Sequence, residues 1–109
     1  MTEYITIITT TNSEFNAKFI ANSLIETKLA ACVQLIPKVT STFKWKDSIN
    51  QEEEFLILIK TINTLKKDVQ KIIEKNHTYE TPEIISFSFD ILNDNYKKWF
   101  DLSLGERIE

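Results

Sequence analysis

An α+β fold is predicted for this chain of 109 residues, and three observations predict it. Apolar patterning runs in the order strand, helix, strand, strand, helix, strand. One stretch, Leu29 to Thr61, reads as two long strands joined by a single polar turn. Its apolar arms call for an antiparallel sheet, which two helices can back on one face only. The β-α-β-β-α-β order is the signature of a ferredoxin-like two-layer sandwich. Here it carries an extended hairpin between the second and third strands and a short C-terminal helix. Residues 1–109 are expected to form one domain, since a chain this size buries roughly 65% of its unfolded surface without staples.

Taken in order, Tyr4 to Thr10 is β-branched and aromatic and reads as a buried first strand. Thr11-Asn12-Ser13-Glu14 fits a capping box. Phe15, Ala17, Ile20, Ala21, Leu24 and Ile25 then recur at helical spacing, predicting a helix over about residues 13–28. Ala30 to Ile36 is apolar on both faces and is expected to be central in the sheet. Pro37 cannot donate to a ladder and marks a bulge or bend. Beyond it Val39, Ser41, Phe43 and Trp45 alternate with polar residues, as in a half-exposed strand. Asp47 to Asn50 is the expected turn, and Glu52 to Thr61 the return arm. Asn63 or Thr64 is placed to cap a second helix with Leu65, Val69, Ile72 and Ile73 on its apolar stripe. A polar loop, residues 76–83, leads to a last strand in which Ile85, Phe87 and Phe89 alternate with serines. Asn93 or Asp94 starts the short third helix, and the tail from Leu104 to Glu109 is a candidate edge segment.

Composition excludes several activities. The only glycine is Gly105, so no glycine-rich phosphate loop exists. Arg107 is the only arginine and the net charge is −3, which argues against nucleic acid as a partner. An acylphosphatase-like enzyme would want an arginine cradle in an early loop, where Arg107 does not lie. Cys32 is the only cysteine, so no intrachain disulfide forms. No basic start precedes an early apolar run, and no apolar run approaches membrane length. The expectation is no signal peptide, no membrane span, and the cytoplasm as compartment. The acidic run Glu52-Glu53-Glu54 reads as a solvated strand entrance that discourages edge pairing.

The hairpin also predicts assembly. Each arm exceeds the usual strand length of about 5–6 residues. Two helices cannot cover its distal half, nor the second face of the sheet. Phe43 and Trp45 would then lie on an exposed apolar ribbon, which another copy of the chain is the simplest partner to bury.

An ordered set of segments resembles one known family. Leu29-Ala30-Ala31-Cys32-Val33 comes first, then Pro37 with Val39-Thr40-Ser41 and Trp45. The run Gln51–Glu54 precedes Leu58-Ile59-Lys60-Thr61. His77-Thr78-Tyr79-Glu80-Thr81-Pro82-Glu83-Ile84 follows, and then Tyr96 and Trp99. In this order they resemble the CutA divalent-cation tolerance proteins across almost the whole chain. The resemblance implies a ferredoxin-like homotrimer, related in architecture to PII signalling proteins, with hairpins extending sheets across subunits and clefts between them. It implies a non-enzymatic role in tolerance to copper or another divalent cation. It also implies, as the alternative, a PII-like regulatory sensor of a small ligand, an anion or metabolite, bound in the intersubunit cleft.

The departures from the family pattern are specific. The family usually has glycine after the proline where this chain has Lys38, proline where it has Thr78, and a glycine in the hairpin turn. Copper-binding members use a cysteine late in the first strand and histidines after the second helix. The corresponding residues here are Thr9, Asn76 and His77. His77 is thus the one metal-ligand candidate, although a lone loop histidine more often makes ordinary hydrogen bonds and copper or zinc wants several ligands. Cys32 reads as a buried structural cysteine. Trp45, Lys60, His77, Tyr79 and Glu83 are placed near the intersubunit cleft by the resemblance, and Phe43 and Trp45 at the trimer interface. Lys60 ends the most apolar strand, where an inward ammonium needs an anionic partner, Glu83 or a bound anion.

Overall fold

The computed structural model describes residues 2–105. Strand β1 spans Tyr4–Thr11, helix α1 Glu14–Glu26, β2 Cys32–Trp45, β3 Ser48–Ile62, α2 Lys66–Asn76, β4 Ile85–Phe89 and α3 Asp94–Ser103. The sheet order is β2-β3-β1-β4 and every pairing is antiparallel. This is the ferredoxin-like arrangement. The expected tail segment beyond Gly105 lies outside the described residues.

One face of the sheet makes the core. In β1 and β3, Ile5, Ile7, Ile57 and Ile59 point the same way and meet Ala17, Ile20 and Leu24 of α1 and Val69 and Ile73 of α2. All are buried. Thr9 shares that face, fully buried, with its hydroxyl lacking a hydrogen-bond partner. The period of two sends Tyr4, Thr6 and Ile8 to the other face. There α3 covers one end, where Phe100 and Leu104 pack with Tyr4, Ala31, Ile62 and Leu65. Tyr4 donates a hydrogen bond of 2.7 Å to Asp101 Oδ1, which ties β1 to α3. The rest of this face is open, and Ile36, Ile85 and Phe87 on it are each about half exposed.

Several expectations are corrected. The arm over Ala30 to Ile36 is not central: β2 pairs with β3 alone and forms the sheet edge. Of its apolar residues, Ile36 is 46% exposed in the single chain. The turn is Lys46-Asp47, closed by the pair Trp45 and Ser48, so the hairpin loop is two residues long and starts before the expected Asp47 to Asn50. Helix α1 is capped by Ser13, whose Oγ accepts the Asn16 N–H at 3.1 Å. Thr11 lies one step outside, accepting from Ser13 N–H and donating to Asn16 Oδ1. Helix α2 starts through a 3₁₀ turn, Asn63–Leu65, with no side-chain cap. Phe15 and Ile25 lie on the outer side of α1. Phe15 is 80% exposed and stacks on Phe19.

Beyond Phe55, the partner of Thr11, β3 has only β2 beside it. Residues 39–54 therefore form a ribbon of two strands paired only with each other, joined to the body at its base. The radius of gyration is 14.8 Å, against about 13 Å for a compact chain of this length. Phe43 and Trp45, on the ribbon, are 42% and 56% exposed, the apolar exposure the sequence predicts for the single chain.

The shortage of glycine leaves a mark. Lys28, Lys38, Lys46 and Asp47 all have left-handed backbones, with φ between 49° and 66°. Lys38 sits in the β-bulge between Ile36 and Val39, at the position where the resemblance expects glycine. Lys46 and Asp47 form the tip, whose positive φ values suit the turn twist of a two-residue hairpin but favour Asn-Gly. Side chains make this region costly by about 1 kcal/mol per residue. Lys38→Gly and Asp47→Gly should each raise stability by about 0.5–1 kcal/mol, after the entropy of the added glycine is subtracted. Urea unfolding measures this, and a loss of stability in both variants would contradict it. Burial foremost, then the hydrogen bond and charge of Asp101, push the Tyr4 hydroxyl up to about 12. Its folded value lies above the unfolded value of 10.0, so its stabilisation is complete below pH 10 and is lost as pH climbs toward 12. Tyr4→Phe should flatten the fall of the urea midpoint across that window.

Candidate functional site

The site is built where the ribbon leaves the body. Helix α2 ends at Asn76, and the Asn76 carbonyl accepts a 2.7 Å hydrogen bond from Asn16 Nδ2 of α1. The chain then passes the end of β1. His77 Nδ1 accepts the Tyr79 N–H at 2.9 Å, so this nitrogen carries no proton. Nε2 must then be the protonated nitrogen, and it donates to the Thr10 carbonyl at 2.8 Å. Both ring nitrogens are thus engaged within the chain, and the imidazole lies 4.8 Å from the Tyr79 ring, centroid to centroid.

Held in this way, Tyr79 reaches across to β3 and donates its hydroxyl to Glu54 Oε2 at 2.7 Å. Glu54 is only 6% exposed, unlike its neighbours Glu52 and Glu53, so the acidic run is not uniformly solvated as expected. Burial first, then the bond to Glu54 and its negative charge, drive the Tyr79 hydroxyl well above the ordinary tyrosine range, and an N–H from Asn12 only partly opposes them. Two adjoining grooves share Phe43, Trp45, Glu54 and Tyr79. One, of about 290 Å³, is completed by Asn12, Asn50 and Glu52. The other, of about 520 Å³, is completed by Thr10, Ser41, Thr81 and Glu83 among others.

Of the residues singled out in the sequence, Phe43, Trp45, Tyr79 and Glu83 come together here. His77 sits behind Tyr79 and positions it. Lys60 does not join them. It is six residues along β3 from Glu54, roughly 20 Å away at strand rise. It lines a separate groove of about 430 Å³ against α3, with Thr6, Phe89, Asp90 and Tyr96. The suggested pairing of Lys60 with Glu83 is therefore absent. Cys32 is half-buried on the edge strand, opposite Lys60, not sealed in a central one. Glu54, Thr10 and Asn12 were missed. Glu54 was legible: counting by twos back from Leu56 puts it on the face shared with Phe43 and Trp45.

The metal chemistry of this arrangement is limited within one chain. Among the described residues no three His, Cys, Asp or Glu side chains gather as a metal centre. Thr9 faces the helices and is sealed from the groove. What the grooves offer is oxygen, from Glu52, Glu54, Glu83 and the amides of Asn12 and Asn50.

Comparisons with known proteins agree with the fold. A family model described as CutA1 divalent ion tolerance protein matches residues 5–103. A Xenopus laevis protein named Protein CutA homolog is 40% identical over 83 residues, covering 76% of this chain and 55% of that one. The chain thus spans about half the length of that relative. The divalent-cation tolerance protein CutA of Thermus thermophilus is 31% identical over 99 residues, covering 91% of this chain and 96% of its own. Among solved structures, CutA1 from Oryza sativa superposes with a TM-score of 0.90 at 31% identity, covering 95% of each chain. CutA1 from Ehrlichia chaffeensis gives 0.88 at 32% identity, covering 96% of this chain and 98% of its own.

Removing the Tyr79 hydroxyl strands a buried carboxylate. Tyr79→Phe should cost about 1–3 kcal/mol in urea unfolding at pH 7. Glu54→Gln should cost less, because its amide oxygen still accepts from Tyr79. Equal stabilities for Tyr79→Phe and the parent would show that the bond does not hold the ribbon base.

Proposed function

Because this chain belongs to the CutA1 divalent ion tolerance family, we propose that it serves divalent-cation tolerance as a homotrimer that binds and does not catalyse. The observation that carries this reading is the uncovered ribbon and sheet face. Phe43, Trp45, Ile36, Ile85 and Phe87 are all exposed in the single chain, and β2 has a free edge. Copies of the same chain can cover the apolar surface and pair the edge together. The same contact would bring a neighbour's groups to the grooves beside Tyr79 and Glu54. Copper or another divalent cation would then be held by Glu52 and Glu83 with ligands from the adjoining copy. His77 would act by fixing Tyr79, since ligation through Nε2 requires giving up the Thr10 carbonyl.

Absence of catalysis is supported by the chemistry of the groove. The single histidine is engaged at both nitrogens by backbone groups, and among the described residues no hydroxyl or thiol hydrogen-bonds to it. A second reading, a regulatory sensor of a small ligand, is favoured by one observation: Lys60 lines a groove of its own, apart from Glu52, Glu54 and Glu83.

Light scattering of the purified protein should give the mass of three chains, and a monomer would overturn the reading. In calorimetric titration with copper, Glu52→Gln with Glu83→Gln should weaken binding by more than about tenfold. His77→Ala should stay within a few-fold of the parent. Loss on His77→Ala alone would make the histidine the ligand and the carboxylates bystanders.

A further inference from the structure

The outer face of the helix layer carries an inference that does not depend on the cation reading. Phe15 and Phe19 of α1 are 80% and 48% exposed, and their rings stack at 6.2 Å, centroid to centroid. A single exposed aromatic is ordinary on a protein surface. Two rings one helical turn apart form a patch, and such patches mark binding surfaces. Copies that cover the ribbon and the open sheet face leave this patch outside, because the helices lie on the opposite face of the sheet.

Helix geometry places the patch beside α2. The start of α1 meets the end of α2, where Asn16 donates to the Asn76 carbonyl at 2.7 Å. Phe19 lies about 60° outward from Asn16 on the same flank of α1. On α2, Lys66 and Gln70 line a groove with Ile84 and Ile85, so that flank faces β4. Ile72 lies on the other flank, toward α1, and packs against the core from there. Lys75 and Lys71 stand about 60° and 100° outward from Ile72. Both are exposed, and neither makes an ion pair among the described residues. Glu74 of the same helix is hydrogen-bonded instead to Gln70, at 3.4 Å, and Glu14 is held by Lys18 at 3.9 Å. Asp68 and Glu26 lie at the far ends of α2 and α1 from the Asn16–Asn76 contact.

Size and charge select the occupant. Two aromatic side chains so exposed offer roughly 250 Å² of apolar area. Each partner in a stable protein interface buries about 800 Å². The patch is thus too small to hold a second folded copy by itself. It matches two apolar anchors of a single segment, such as residues i and i+4 of a helix. The unpaired ammonium groups beside it favour negative charge on that segment. The geometry points to a docking site on α1 and α2 for an acidic amphipathic helix of a partner protein, with its apolar anchors on Phe15 and Phe19 and its carboxylates toward Lys71 and Lys75.

The test uses the full chain in its native assembly, with EDTA present so that no cation contributes. Two fluorescent helical peptides share one Leu-Phe stripe, the first flanked by Glu and the second by Lys, and binding of each is followed by anisotropy. Saturable binding of the Glu peptide is expected, with the Lys peptide at least about tenfold weaker. Phe15→Ser and Phe19→Ser should each weaken the Glu peptide by more than about tenfold. Phe15→Ser, at the more exposed ring, should leave the urea midpoint near that of the parent. Lys71→Glu with Lys75→Glu should make the Lys peptide the better ligand, a reversal that damaged folding cannot produce. No saturable binding of the Glu peptide overturns the proposal, and so do equal affinities for the two peptides. Stronger attachment to phosphatidylserine vesicles than to the Glu peptide makes the face a membrane surface. A native mass that doubles in the parent but not in Phe15→Ser makes it a contact between copies. Either outcome also overturns the proposal. The patch lies within one chain, so a monomer in light scattering would sink the trimer and leave the docking site standing.

Discussion

Strand β3 is shared by everything else in the molecule. Over Phe55–Ile62 it pairs with β1 on one side, and over most of its length with β2 on the other. Ile57 and Ile59 face both helices and are fully buried. Glu54 then receives Tyr79 at the point where β1 ends, and Lys60 floors the groove against α3. A slip of one residue in β3 would exchange Ile57 and Ile59 for Leu58 and Lys60 in the core. Because the same strand carries the core, the ribbon and both grooves, its register fixes their relative placement.

Much of this was legible as pattern. The alternation in β1 and β4 and the helical spacing of Ile20, Leu24, Val69 and Ile73 gave the layers correctly. What misled was reading apolar residues on both faces of a strand as a sign of a central position. Val33, Leu35 and Ile36 look like a central strand because they are apolar on both sides, yet they lie on an edge. Phe15 and Ile25 fit the period of α1 but fall outside its buried arc. The caps were displaced by side-chain competition. Thr11 and Ser13 both carry hydroxyls, and only the backbone path decides which one faces the Asn16 N–H.

The candidate site was half legible. Phe43, Trp45, Tyr79 and Glu83 converge because the loop after α2 crosses the end of β1, close to the base of the ribbon. Lys60 was grouped with them by resemblance, and within one chain six strand steps, roughly 20 Å, separate it from Glu54. His77 has the chemistry of a ligand and the geometry of a brace. Sequence shows the first, while the second depends on the Thr10 carbonyl and the Tyr79 N–H, which no residue type announces.

The hydrogen bond from Tyr79 to Glu54 stands at a fulcrum. From Glu54 to the tip at Asp47 the ribbon runs about 24 Å as extended strand. A tilt of about 10° at the base would carry the tip roughly 4 Å sideways over that span. That displacement is comparable to the spacing between paired strands, about 4.8 Å. The ribbon is thus a lever whose short arm is one tyrosine hydroxyl. Any tilt at that bond is multiplied along the ribbon, so the tip is the part of the chain it would displace furthest.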